Sequence, residues 1–297
     1  MSKDDGDMAG GGARSALVVE GGAMRGVFSA GVLDGFLDSG FDPFDLFIGV
    51  SAGACNLSSH LAGQRGRNHK IYTDYSCRPQ FLGVGKFLRG GHLLDLDWLW
   101  EITIREIRLK LDVIVARPEP FLVTLTSVDT GKPVYLEPSV DDLEEMLKAS
   151  SAMPWLYRGF PVIRGMKVTD GGVADSLPVM EAHRRGATRI AVVRSRPASY
   201  RKEDGLEAKA FAFAFRKRPG LVEAIRRRAT TYNDAVEFIE SPPDGVRVIQ
   251  IAPPEAMDVG RTTRDPEKLQ AGYDLGVAAA REATPAMEEM LAGPSLN

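Results

Sequence analysis

Between Leu46 and Leu61 the apolar pattern switches from a continuous run, LFIGV, to a helical one, and the switch happens across GVSAGA, residues 49–54. A buried strand that turns straight into a helix limits the fold strongly. The helix must pack back on the sheet, and the strand that follows it then lies parallel to the first. The same event occurs one unit earlier. SALVVE (15–20) is a short β-branched run, GGAMRG (21–26) is rich in small residues, and Val27, Phe28, Val32, Leu33, Phe36 and Leu37 recur at helical spacing up to residue 39. SGFDPFD (39–45) is a turn back to LFIGV. Strand, helix, strand, helix is the pattern of a parallel α/β sheet.

Further along, residues 62–110 mix glycines, aromatics and charges and read as irregular helices. Residues 120–138 read as a strand pair around Asp129-Thr130-Gly131-Lys132. Ser139 and Asp142 have capping-box spacing ahead of a helix to about Ala149. KVTDGGV is a strand end and a turn, and PVMEAHRRGA is a helix from Pro178 to Gly186. RIAVVRS (189–195) is a buried strand, two helices fall between 206 and 240, VRVIQIAPP (246–254) holds a last strand, and 266–283 is a last helix. Without repeats or an obvious linker, the chain is expected to be one domain: a flexible tail over residues 1–14, a core over 15–195, and a completion of the same domain over 196–297.

A net charge of −3 gives no reason to expect a nucleic-acid partner. Cys55 and Cys77 exclude a disulfide framework, suit a reducing compartment and fit no metal spacing. MSKDDGDMAGGGARS lacks the apolar segment of a secretory signal, and no stretch approaches the ~20 apolar residues that span a bilayer. The expected compartment is the cytoplasm, with neither cofactor nor metal.

Gly49-Val50-Ser51-Ala52-Gly53 fits G-x-S-x-G between a buried strand and a helix. A serine there sits on a tight turn with its Oγ exposed at the helix N-terminus, as a nucleophile must. The bland reading is an ordinary glycine-rich turn. A nucleophile attacking an ester creates an oxyanion, which needs preorganised N–H donors. Gly21, Gly22 and Ala23 end a strand expected to lie near that of Ser51 and offer such donors. A dinucleotide site is the competing reading, but glycines at 21, 22 and 26 do not make G-x-G-x-x-G, and no G-x-x-x-x-G-K-[ST] occurs.

Each of the four histidines, His60, His69, His92 and His183, reads best as a surface or partly buried side chain. Asp170, in VTDGGVAD, stands at a strand end before two glycines that let a partner approach; its bland reading is a turn aspartate. A carboxylate within hydrogen-bond reach can serve as the base for a serine. A Ser–Asp dyad is therefore expected, and a triad through His183 is the alternative.

Taken together and in this order, EGGAMRG, GVSAGA and DGG resemble the patatin-like phospholipase family. The resemblance covers about residues 15–195, and the segments TYNDAVEFIE and GRTTRDPEKLQAGYDLG resemble a bacterial subgroup. It implies a three-layer α/β/α fold with a mostly parallel sheet, and metal-free hydrolysis of lipid acyl esters. Ser51 would be the nucleophile, Asp170 its base, and Gly21, Gly22 and Ala23 the oxyanion donors. Arg25, Gly26, Gly49, Gly53 and Gly171 fill the supporting motif positions, with Arg25 expected to have a fixed partner or a structural role. Ala23 departs from the family pattern, which has a third glycine. Its N–H survives, provided the position does not demand a positive φ. A non-catalytic lipid-binding or regulatory protein on the same fold is the alternative.

AFAFAF (210–215) precedes Arg216, Lys217 and Arg218, with Arg226, Arg227 and Arg228 beyond. Apolar residues beside clustered cations suit peripheral contact with an anionic membrane; a core helix with a solvated basic end is the blander alternative. FLGVGKFLRGGHLL (81–94) is a candidate rim for an acyl pocket, and Cys55 reads as a small buried residue.

Overall fold

The first strand, β1 (Arg14–Val19), is apolar at successive positions because it has a core on each side. Leu17 and Val19 face one cluster, and Ala16 and Val18 face the other. That is what the middle of a parallel sheet requires. The structure is a computed structural model and describes residues 14–83, 85, 87, 89–203 and 205–292. The tail expected over residues 1–14 lies outside these, except that Arg14 opens β1.

From β1 the chain passes through α1 (Gly26–Ser39), β2 (Phe47–Val50) and α2 (Ala52–Leu61). The irregular stretch holds α3 (Arg67–Thr73), α4 (Leu96–Glu106) and α5 (Leu111–Val115). A hairpin follows, β3 (Phe121–Ser127) and β4 (Pro133–Leu136), turning through Gly131 at φ +69. Next come α6 (Leu143–Ser150), β5 (Val162–Ile163), β6 (Met166–Asp170), α7 (Val179–Arg184) and β7 (Ala187–Val193). The chain continues through α8 (Leu206–Ala214), α9 (Pro219–Glu240), β8 (Arg247–Ile251) and α10 (Pro266–Ala292).

The sheet has the order β5-β6-β3-β2-β1-β7-β8, with β4 also paired to β3. From β3 to β8 the neighbours are parallel, while β4, β5 and β6 join antiparallel. Helices α1, α2, α6 and α10 contribute to the core on one face, and α7 and α9 to that on the other. This is a mixed α/β fold with a central sheet between helices. Helices α1 and α10 approach closely because small residues face each other: a Cβ on Gly31 would strike the Tyr273 carbonyl, and one on Gly276 that of Phe28.

The last helix runs to Ala292 rather than to about residue 283, and it carries Pro285 within it. The expected capping box is a turn instead. The Ser139 hydroxyl donates to Asp142 Oδ1 at 2.9 Å, and the helix begins only at Leu143. Among the described residues no helix is long and apolar enough to cross a membrane.

Candidate active site

β1 and β2 are in register, with Val19 opposite Gly49, so both strands end at the same level. Ser51 follows β2 directly and adopts φ +52, ψ −123, the strained conformation of a strand turning at once into a helix. Closely packed small residues make that turn. A Cβ on Gly49 would strike Ala54, and one on Gly53 would strike the Val19 and Glu20 carbonyls. The Ser51 N–H donates to Ser150 Oγ at 2.8 Å, and the Ser150 hydroxyl donates to the Thr124 carbonyl at 2.7 Å. Ser150 thus ties the elbow to β3. It lies in the ASSAMP stretch, yet nothing in the sequence pairs it with a residue so distant.

Asp170 arrives from the other direction. Val50 lies opposite Thr124 on β3, and Asp170 lies opposite Leu125, so antiparallel β6 ends almost level with β2. The chain then crosses over β3 at Gly171, where a Cβ would strike the Thr124 carbonyl. The Asp170 N–H donates to the Ala152 carbonyl at 3.2 Å, and the Thr126 hydroxyl donates to the Asp170 carbonyl at 2.8 Å. The backbone is fixed on both sides and the carboxylate has a single direction to point. Its Oδ2 accepts the Ser51 hydroxyl at 2.9 Å, and its Oδ1 accepts the Gly172 N–H at 2.7 Å. Ser51 is 9% exposed and Asp170 3%. Burial pushes the Asp170 carboxyl up to about 6, against the opposing pull of the Gly172 N–H, the Ser51 hydroxyl, Arg228 and Arg261.

The turn after β1 lies against this pair. A Cβ added to Gly21 would come within 2.8 Å of the Val50 carbonyl and 3.0 Å of the Ser51 Cβ. Gly22 is held equally close to Ser195, and Gly26 to Tyr72. Ala23 has φ +50, so the position does adopt the positive φ that disfavours an alanine; the alanine keeps its N–H but carries a backbone cost that a glycine would not. The N–H groups of Gly21, Gly22 and Ala23 have no backbone acceptor among the described residues. For Arg25, expected to have a fixed partner or a structural role, no ion pair is found among the described residues. Arg25 is buried, its Nε lacks a hydrogen-bond partner, and burial beside Arg196 and Arg261 lowers its guanidinium to about 10.

Gly21, Gly22, Ala23, Ser51 and Asp170 line one cleft. Part of its wall is apolar and includes Phe81, Leu82 and Leu94 from the expected rim, with Leu99, Trp100 and Leu147. Of the segment 81–94, Phe81, Leu82 and Leu94 line the cavity. Cys55 also faces it, with its thiol pushed up to about 11 by burial, so it is a protonated packing residue rather than a nucleophile.

Among the described residues lining the cleft there is no histidine. His183 Nδ1 lies 3.2 Å from the Ala187 carbonyl and its ring packs on Phe238. His60 lies against the Leu33 carbonyl and Asp42. The group that accepts the Ser51 proton in a hydrogen bond is a carboxylate. Among the described residues no cluster of His, Cys, Asp and Glu has the arrangement of a metal site.

The chain is similar to known proteins. Residues 17–183 match the model of the patatin-like phospholipase family, and residues 218–292 match a domain of unknown function, DUF6363. The uncharacterized protein YjjU of Escherichia coli K12 is 36% identical over 273 residues, which is 90% of this chain and 76% of that protein. The crystal structure of VipD from Legionella pneumophila aligns over 93% of this chain and 67% of its own, with a TM-score of 0.47 and 13% identity.

Proposed function

This chain belongs to the patatin-like phospholipase family, and from that premise we propose that it is a serine hydrolase of lipid acyl esters working through a Ser51–Asp170 dyad. The observation that carries this reading is the 2.9 Å hydrogen bond from Ser51 Oγ to Asp170 Oδ2 at the bottom of a cleft with an apolar wall. Ser51 Oγ attacks the acyl carbonyl while Asp170 takes its proton. The N–H groups of Gly21, Gly22 and Ala23 receive the oxyanion, each donor being worth roughly 3 kcal/mol of barrier. The alcohol leaves with the proton, and an acyl-Ser51 ester remains. Asp170 then takes a proton from a water as that water attacks the ester, and returns it to Ser51 Oγ as the C–O bond to Ser51 breaks and the fatty acid leaves. The scheme uses no metal.

A fluorophosphonate probe and a short-chain acyl ester, both with chelator present, test this. Wild type is expected to be labelled and to turn over, and Ser51→Ala to do neither. Folded wild type that resists labelling would favour the non-catalytic lipid-binding alternative.

We also propose peripheral contact with an anionic membrane through α8. Phe211 and Phe215 pack inward near Trp155, but Phe213 is 70% exposed and lies under the Arg216 guanidinium at 4.8 Å. One exposed aromatic beside cations suits a headgroup boundary. Cosedimentation with anionic vesicles is expected and should weaken in high salt and in Phe213→Ser. Salt-insensitive binding, or none, rules the contact out.

A further inference from the structure

The cleft has a second wall unlike the apolar one. Arg196 and Lys202 follow β7, Arg228 comes from α9, Arg261 follows β8, and all line the cleft with Arg25. They are far apart in sequence and belong to a chain of net charge −3, so their gathering at one place is a property of the fold. The carboxylates facing them are already engaged: Glu20 accepts the Ser195 N–H at 2.6 Å, and Asp170 accepts Ser51 and Gly172. Arg25, Arg196, Lys202 and Arg261 form no ion pair among the described residues. Lys202 Nζ donates to Ser176 Oγ at 3.2 Å and sits 4.2 Å from the Tyr232 ring, and Arg228 Nε donates to the Gly172 carbonyl at 2.8 Å, beside the dyad.

This wall is built rather than incidental. Arg194 is fully buried, and its guanidinium donates to the Ala198 and Tyr200 carbonyls, to Gln250 Oε1 and to the Tyr232 hydroxyl. It fixes the loop that carries Arg196 and Lys202. Burial and the neighbouring arginines hold the Lys202 ammonium well below its ordinary range. Arg25 is buried, Arg196, Lys202 and Arg228 are half-buried and Arg261 is exposed. Cations gathered this closely repel one another, and a bound dianion would relieve that repulsion.

We infer that this wall is a subsite for a phosphate monoester on the leaving group, so that the preferred substrate is an acyl ester of a glycerol phosphate rather than of a zwitterionic or neutral alcohol. This rests on the hydrolase reading above and deepens it. The acyl chain lies along Leu99, Trp100 and Leu147, the ester carbonyl at Ser51, and the phosphate against Arg196, Lys202 and Arg261. A choline or ethanolamine headgroup would bring its own cation into this wall and be rejected.

The test uses three soluble substrates with the same short acyl chain: an acylglycerol 3-phosphate, an acylglycerophosphocholine and an acylglycerol. Wild type is expected to show kcat/KM at least tenfold higher for the first than for either other. In Arg196→Gln and Arg261→Gln that ratio should fall towards one, with the change mainly in KM. Equal rates on all three, or a ratio unmoved in both variants, overturns the subsite while leaving the hydrolase reading intact. If no substrate is cleaved, the hydrolase reading fails, and calorimetric titration decides the subsite separately. Glycerol 3-phosphate binding that is lost in Arg196→Gln supports it, and no binding overturns it. Inorganic phosphate in the same titration separates the sources. Binding equal to that of glycerol 3-phosphate assigns the site to free phosphate and overturns the substrate role.

Discussion

Two turns at the top of the sheet hold non-glycine residues in the left-handed region, Ser51 at φ +52 and Ala23 at φ +50, and they are supported in different ways. The Ser51 turn is gripped on three sides: by Gly49 and Gly53, which admit no Cβ, and by Ser150, which accepts its N–H. The Ala23 turn is also closely packed, with the Ser195 hydroxyl donating to the Gly21 carbonyl at 3.0 Å, but among the described residues no side chain ties down its N–H groups. Its own N–H groups lack backbone acceptors, and the next residue is held by a long 3.4 Å bond from the Met24 N–H to the Arg261 carbonyl. The difference matches the chemistry proposed for each. A nucleophile must keep one side-chain direction, which takes a clamp. An oxyanion donor must keep its N–H unspent, so its turn cannot be held by the bonds that would otherwise rigidify it.

The largest expected effect tests what the clamp is for. Asp170→Asn should lower kcat by ~10⁴-fold, as loss of an orienting or accepting carboxylate does elsewhere. It should also stabilise the protein above pH 6. Raising this carboxyl from 3.8 to about 6 means that the folded state binds the proton more tightly than the unfolded chain. The stabilisation from that proton is complete below the unfolded value and is lost as pH rises through about 6, at a cost of about 3 kcal/mol. Thermal melts of wild type and Asp170→Asn at pH 3.5 and pH 8 measure the difference, which should be near zero at the lower pH and close to its full size at the higher, with about half of it already present at pH 5. For the same reason the acid limb of kcat/KM should have its midpoint near 6 in wild type.

Next in size is Ser150→Ala. It leaves a buried N–H and a buried carbonyl without their partner, at about 1–3 kcal/mol each, and frees the elbow. Melting temperature should drop by several degrees and kcat by at least about tenfold. A variant with normal kcat would show that Gly49 and Gly53 suffice. Smallest is Ala23→Gly. Relief of a left-handed alanine, about 1 kcal/mol, is offset by the greater freedom of glycine in the unfolded chain. Turnover within about threefold of wild type is expected, with little change in melting temperature. A large gain in kcat would mean that the alanine distorts the donor turn.

The clamp was far more legible in the sequence than the walls. Gly49, Ser51 and Gly53 lie within one turn of chain, and their meaning comes from local geometry: a strand end, a helix start and no room for side chains. Asp170 was readable for a similar reason, since Gly171 must cross a strand closely. The antiparallel entry of β6, which brings Asp170 beside β2, has no local signal of that kind. Ser150 is 99 residues from Ser51 and nothing about a serine near a helix end announces its partner. The cationic wall was not visible as a unit: Arg25 read as a motif position, Arg228 as part of a basic cluster suited to a membrane, and Arg196, Lys202 and Arg261 carried no signal of their own in a mildly acidic protein. The last helix, expected over 266–283, runs on to Ala292 because α10 accommodates Pro285 within its length.

Ser51 and Asp170 are 119 residues apart and meet only when β6 has docked antiparallel on β3. During synthesis, at roughly 5–20 residues per second, several seconds separate the nucleophile from its base. The glycine-rich turns and the elbow can pack early from neighbouring segments, but the carboxylate comes from a contact of long loop closure and therefore forms late. A half-made chain thus carries the serine without the means to ionise it. Under the proposed dyad, the topology acts as a safety catch, withholding the carboxylate from Ser51 until the fold is finished.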